Sequence, residues 1–163
     1  MKIYQIITIL GIFFFFPLLV FSQDNSEKNN TASTLSSPKN EEYKVITITQ
    51  EEFIEKIFDY RTDSILKFKG TKPVVVDFYA DWCAPCRMLA PILEELQKEY
   101  KDKIQIYKIN TDKNREVSSV FRVVSIPTIL FIPMSGNPAM EKGVLPKETL
   151  EKIFEDFLKV SKK

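Results

Sequence analysis

The sequence predicts an α/β domain, a central mixed β-sheet with helices on both faces. Three observations predict it. Val74-Val75-Val76-Asp77-Phe78-Tyr79-Ala80 is apolar at all but one internal position, and a strand apolar on both faces belongs in the middle of a sheet covered on each side. Strand-like and helix-like segments alternate, giving βαβ units followed by a hairpin and a closing helix. Two long segments, from Ala84 to Tyr100 and from Pro146 to Leu158, carry apolar residues three and four apart, as helices packed on a sheet do.

The elements follow in order. Tyr43 to Ile48 alternates as a first strand. Thr49-Gln50-Glu51-Glu52 then has the pattern of a capping box, in which the threonine hydroxyl and the Glu52 carboxylate satisfy free backbone N–H groups. Phe53, Ile54, Ile57 and Phe58 continue at helical spacing until Gly70-Thr71-Lys72-Pro73 breaks the pattern. After the apolar strand, Leu89, Ile92, Leu93 and Leu96 form the inward stripe of the longest helix. Pro91 lies inside it and should kink it, because it supplies no N–H to the residue four back.

Ile104, Ile106 and Ile109 mark a strand ending near Asn110, and Asp112 or Asn114 could cap a short helix running to about Phe121. Thr128 to Ile132 is the next strand. A turn containing Gly136 leads to a short strand at Met140 to Gly143, and Pro146 starts the last helix. There is no internal repeat.

Composition removes several chemistries. The chain has 163 residues, a formal charge of +1, no histidine and two cysteines. Without histidine there is no Ser-His-Asp or Cys-His pair and no His-based metal site within one chain. The small charge gives no field that points to nucleic acid. No cofactor and no metal are expected.

Met1 to Ser22 has one lysine, Lys2, then an apolar run around Phe13-Phe14-Phe15-Phe16 and a small-residue exit. That is the pattern of a secretory signal peptide, with cleavage before Gln23. An uncleaved anchor is the rival reading, since the run approaches the roughly 20 residues that span a bilayer. Either way the domain is expected to be exported, to the periplasm or beyond. Residues 23–42 are rich in Asn, Ser, Thr and Lys and cannot bury enough apolar surface to offset the entropy of ordering. They read as a flexible linker, with the folded domain at 43–163.

Both cysteines fall in Asp81-Trp82-Cys83-Ala84-Pro85-Cys86-Arg87, where the apolar strand gives way to the long helix. Two thiols there lie near the unpaired N–H groups of the first turn, where the helix dipole favours a thiolate. The thiolate is the nucleophile. Cys83 is the expected attacker, as the more exposed of the two, and Cys86, one turn deeper, resolves the mixed disulfide. A purely structural disulfide would close a very short loop and constrain the unfolded chain least. A zinc site would need two more ligands, from a dimer or from carboxylates. Inert buried thiols would leave Trp82, Pro85 and the strand-to-helix position unaccounted for. Asp77 is a second pointer: an acid inside an apolar strand costs several kcal/mol if ionised and unpaired, so its pKa should rise or it should find a partner.

The stretch Asp77 to Pro91 resembles the active-site segment of thioredoxins, and the likeness continues through Lys108-Ile109-Asn110-Thr111-Asp112, Ser125-Ile126-Pro127-Thr128 and Gly143. Phe131-Ile132-Pro133-Met134 and the apolar leader look like the secreted thioredoxins of Gram-negative bacteria. The resemblance implies the thioredoxin fold and disulfide-containing protein substrates. It implies a redox disulfide between Cys83 and Cys86, and a cis Ile126-Pro127 bond beside it. It further implies an apolar substrate groove of Trp82, Ile126, Pro127 and Gly143. Asp77 would accept the proton of Cys86, and Lys108 would tune Asp77. Two departures stand out: Ala84 replaces the commonest residue between the cysteines, glycine, and Tyr79 replaces a frequent tryptophan.

Ala84 and Pro85 add neither charge nor a donor to the thiolate, which favours a reducing rather than an oxidising member. An exported reductant needs electrons from a membrane-embedded donor. A monomer is expected. An oxidant or isomerase of the same fold, and a docking module that has lost its chemistry, are the other readings.

Overall fold

The computed structural model describes residues 43–62 and 67–162. The expected leader at 1–22 and linker at 23–42 lie outside the described residues. Among the described residues, no helix is long and apolar enough to cross a membrane.

The elements come in the expected order: β1 (Ile46–Thr47), α1 (Gln50–Lys56), β2 (Val74–Tyr79), α2 (Ala84–Tyr100), a 3-10 turn (Lys101–Lys103), β3 (Gln105–Asn110), α3 (Arg115–Val120), β4 (Thr128–Ile132), β5 (Ala139–Lys142) and α4 (Lys147–Asp156). They form one five-stranded sheet in the order β1-β3-β2-β4-β5. β1 and β2 both run parallel to β3, whereas β4 is antiparallel to β2 and β5. The apolar strand β2 is therefore central.

Strand alternation divides the core in two. Val75, Ile106, Ile129 and Phe131 point to one face, where Leu89, Leu93, Leu96 and Tyr100 of α2 meet Leu150 and Phe154 of α4. Val74, Val76 and Phe78, with Leu130 and Ile132, point to the other, against Phe53 of α1 and Val117 of α3. Phe154 stacks edge-on against Tyr100, with ring centroids 5.0 Å apart. Each such side chain, truncated to alanine, is worth about 3–5 kcal/mol.

Several local expectations hold. The Glu52 amide donates to Thr49 Oγ1 (3.2 Å) and the Thr49 amide to Glu52 Oε2 (3.0 Å), completing the capping box. α4 begins directly after Pro146. Pro91, where a kink is expected, lies inside α2 as predicted and does not end it, the helix running on to Tyr100. Arg87 and Pro91 are both exposed, so the carbonyl that lacks an amide partner lies on the solvent side.

Others need correction. β1 pairs only over Ile46–Thr47 rather than 43–48. At this sheet edge Val45 and Ile48 bury toward opposite faces while the residues between them stay exposed. α1 stops at Lys56, although Ile57 and Phe58 beyond it remain buried. Asn114 does stand at the N-cap of α3, yet its side chain makes no cap bond there. Its Oδ1 accepts instead from the Gln50 amide of α1 (2.8 Å), and its Nδ2 donates to the Asn110 carbonyl (2.9 Å). Tertiary contact, invisible in a local pattern, decides which helix Asn114 caps.

Candidate active site

β2 ends at Tyr79, and the turn through Asp81 and Trp82 delivers the chain into α2. The Cys83 amide donates to the Ala80 carbonyl (3.1 Å), closing that turn. Cys83 is the N-cap of α2, and its Sγ accepts from the Cys86 amide at 3.1 Å. This places a backbone donor and the positive end of the helix at the atom that would carry a thiolate's charge. The two cysteines are joined by a disulfide with their Cα atoms 5.3 Å apart.

Exposure does not rank the sulfurs as expected. Cys83 is 2% and Cys86 4% accessible, both packed with Ala80, Tyr79 and Ile126. What separates them is the space each one lines. Cys83 lies on an open groove of about 510 Å3 with Trp82, Ala84, Pro85 and Ile126. Thr111 and the run Val123-Val124-Ser125 complete that groove. Trp82 is 69% accessible and Val124 78%, so among the described residues the rim is apolar and uncovered. The Trp82 indole N–H donates to Asp112 Oδ2 (2.9 Å), which fixes the ring at the rim.

Cys86 instead lines a smaller cavity, about 180 Å3, with Asp77, Ala90, Arg87 and Lys108. Strand alternation explains the meeting. Asp77 shares the α2 face with Val75, and Lys108 shares it with Ile106. Asp77 and Lys108 are also register partners across the β2–β3 pair. Asp77 is 3% accessible, and its Oδ1 has no hydrogen-bond partner. Burial pushes its carboxyl up to about 7, against the opposing pull of the Lys108 ammonium. That ammonium also sits over the Tyr79 ring, 5.7 Å from its centroid. The cavity is large enough for water between Asp77 and the sulfur.

The Ile126-Pro127 bond is cis, the geometry the resemblance implied. Trp82 and Ile126 meet Cys83 in the groove; Pro127 and Gly143 do not line it. Those two pair with each other instead, the Gly143 amide donating to the Pro127 carbonyl at 2.8 Å. Gly143 holds φ +83, where a side chain would be strained. Thr111, Val123 and Val124 are groove residues that sequence reasoning missed. They lie in connections without periodicity, where no local pattern marks a contact surface.

A buried Cys-x-x-Cys disulfide at the start of a helix, just past the end of the central strand of an α/β sheet, defines a thiol–disulfide oxidoreductase. The relatives agree. Residues 44–156 match the family model described as Thioredoxin. The chain is 47% identical over 112 residues to a thioredoxin of Borreliella burgdorferi, spanning 69% of this chain and 96% of that protein. It is 36% identical over 125 residues to the chloroplastic M-type thioredoxin of Spinacia oleracea, spanning 76% and 69% of the two chains. Among solved structures, chloroplastic thioredoxin z superposes with a TM-score of 0.57 at 30% identity, over 68% of this chain and 90% of that one. The chain belongs to the thioredoxin family, whose members act on disulfide-containing protein substrates.

Proposed function

We propose that this protein is an exported reductant of protein disulfides. The observation that carries the catalytic roles is the division of space around the dithiol: Cys83 on the open groove, Cys86 on the cavity of Asp77. In the reduced protein the Cys83 thiolate attacks one sulfur of a substrate disulfide. A Cys83–substrate bond forms, and the other substrate sulfur leaves as a thiolate that takes up a proton. Asp77 then accepts the Cys86 proton, and the Cys86 thiolate attacks Cys83 Sγ. The Cys83–Cys86 disulfide forms and the second substrate thiol is released. Two electrons pass from the dithiol to the substrate. A base that titrates at about 7 is half ionised near neutrality, which suits a proton acceptor in this step. Lys108 keeps that value from rising further.

The reducing direction is supported by what flanks the sulfurs. Ala84 and Pro85 offer no charge or side-chain donor to a Cys83 thiolate, so its main local support is the Cys86 amide and the helix end. A reductant of this family is expected nearer about −270 mV than the roughly −120 mV of a strong periplasmic oxidant. Export is supported by the apolar Met1–Ser22 leader and the polar stretch after it. In an oxidising compartment the protein would be recharged by a membrane-embedded dithiol donor, and it would act as a monomer.

The test is reduction of a disulfide in a model protein, with Cys83→Ser and Cys86→Ser alongside, and a redox titration of the wild type. Loss of turnover in the first variant, a trapped mixed disulfide in the second and a potential near the lower value support the proposal. A potential close to that of the oxidant would overturn the direction. For location, the mature N-terminus of the exported full chain should begin at Gln23, and retention of the protein in the cytoplasm would overturn export.

A further inference from the structure

A second groove, of about 580 Å3, continues from the dithiol groove along α3. The two share Thr111, Val123 and Val124. Past these residues the lining changes character: Arg115 and Arg122 replace the apolar rim, with Ser118 and Ser119 between them. Among the described residues, no carboxylate lines this groove. Neither arginine side chain has a hydrogen bond, ion pair or ring contact among the described residues. Glu116, the nearest acid in sequence, is taken by Arg61 through two bonds of 2.7 and 2.6 Å. Arg87, beside the dithiol, is likewise engaged, donating to the Asp81 carbonyl.

The end of α3 sets where Arg122 sits: it holds φ +51, and its amide and that of Val123 donate to the Ser119 and Ser118 carbonyls, the two bonds that close the helix. Two uncommitted guanidinium groups in a concave surface recognise carboxylates well, because their forked donors match the two oxygens.

We propose that this groove selects substrates with acidic side chains within a few residues of the disulfide that Cys83 attacks. The residues next to the attacked cystine lie along Trp82, Val123 and Val124, and the chain then runs on so that its carboxylates reach Arg115 and Arg122. The inference rests on the dithiol groove being the substrate site, and it adds the chemical class of substrate that site prefers. The bond exchange at Cys83 is unchanged; only binding and encounter differ.

The test uses short cyclic peptides with one intramolecular disulfide and a Glu-Glu, Gln-Gln or Lys-Lys pair beside it, before the disulfide in one series and after it in another. The reduced protein should show kcat/KM for the Glu-Glu peptide roughly three- to tenfold above Gln-Gln in at least one series at low ionic strength. The preference should shrink at high salt. The double substitution Arg115→Gln and Arg122→Gln should bring the ratio to about one, and Arg115→Lys with Arg122→Lys should retain most of it. Equal or lower rates for Glu-Glu in both series, or a preference that survives in the glutamine variant, would overturn the inference. Turnover of none of the peptides would overturn the dithiol reading itself, and this inference with it.

Discussion

Cys83 and Cys86 are three residues apart, joined to each other and about equally buried, yet the spaces beyond them differ in kind. On the Cys83 side lies a wide groove with an exposed indole and exposed valine at its rim. On the Cys86 side lies a cavity about a third that size, holding a buried carboxyl and an ammonium. The difference teaches that accessibility does not assign the roles in this dithiol. One sulfur adjoins an open groove, the other adjoins a buried carboxyl.

The largest effect should come from breaking the groove side. Cys83→Ser is expected to lower turnover of a protein disulfide by at least about a thousandfold, as loss of a nucleophile does. Cys86→Ser should still attack and should accumulate the mixed disulfide, which non-reducing electrophoresis would display. If both variants trapped substrate equally, the two sides would be equivalent and the comparison would fail.

Next comes the carboxyl. Asp77→Asn should slow resolution by about a hundredfold, the usual scale for a positioned base, and leave the attack step close to wild type. The same variant carries a stability signature. An ordinary aspartate titrates near 4, whereas Asp77 in the folded, disulfide-closed protein titrates at about 7. Between those values the folded protein holds a proton that the unfolded chain has lost. Wild-type stability should therefore fall as pH rises through this window, by up to about 4 kcal/mol from this group. Asp77→Asn should remove that slope and be the more stable protein at pH 8, in denaturant titrations across the pH range. A wild-type curve that instead rises through the window would contradict the buried, uncompensated carboxyl.

Smaller effects sharpen the contrast. Trp82→Ala should lower kcat/KM for protein substrates by about tenfold through lost groove contact, with the pH midpoint unmoved. Lys108→Gln should do the opposite. Removing the cation that lowers the Asp77 pKa should shift the midpoint of resolution above about 7 and leave substrate affinity alone.

Much of this was legible in the chain. The capping box of Thr49 and Glu52, the central strand around Val75 and the helical stripe from Leu89 to Leu96 are local patterns that packing then reinforced. Asp77 announced itself as the one acid in an apolar strand, and packing then placed it on the face that α2 covers. Features set by tertiary contact were not legible. Asn114 serves the neighbouring helix, the Gly143 amide is held by the Pro127 carbonyl, and the edge strand β1 pairs over only two residues. The groove walls at Thr111, Val123 and Val124 come from connecting segments, where no periodicity marks a face. Equal burial of the two sulfurs was missed for a related reason, since helix position alone omits what Ile126 and Tyr79 bring to cover them.

The most direct test is a single-turnover experiment that follows formation and resolution of the mixed disulfide separately, in wild type and Asp77→Asn, from about pH 5.5 to 9. The division of the two spaces predicts an inflection near 7 in wild-type resolution that disappears in the variant, with the rate of formation little changed. Loss of the inflection from formation, with resolution unaffected, would place Asp77 with Cys83 and contradict the account.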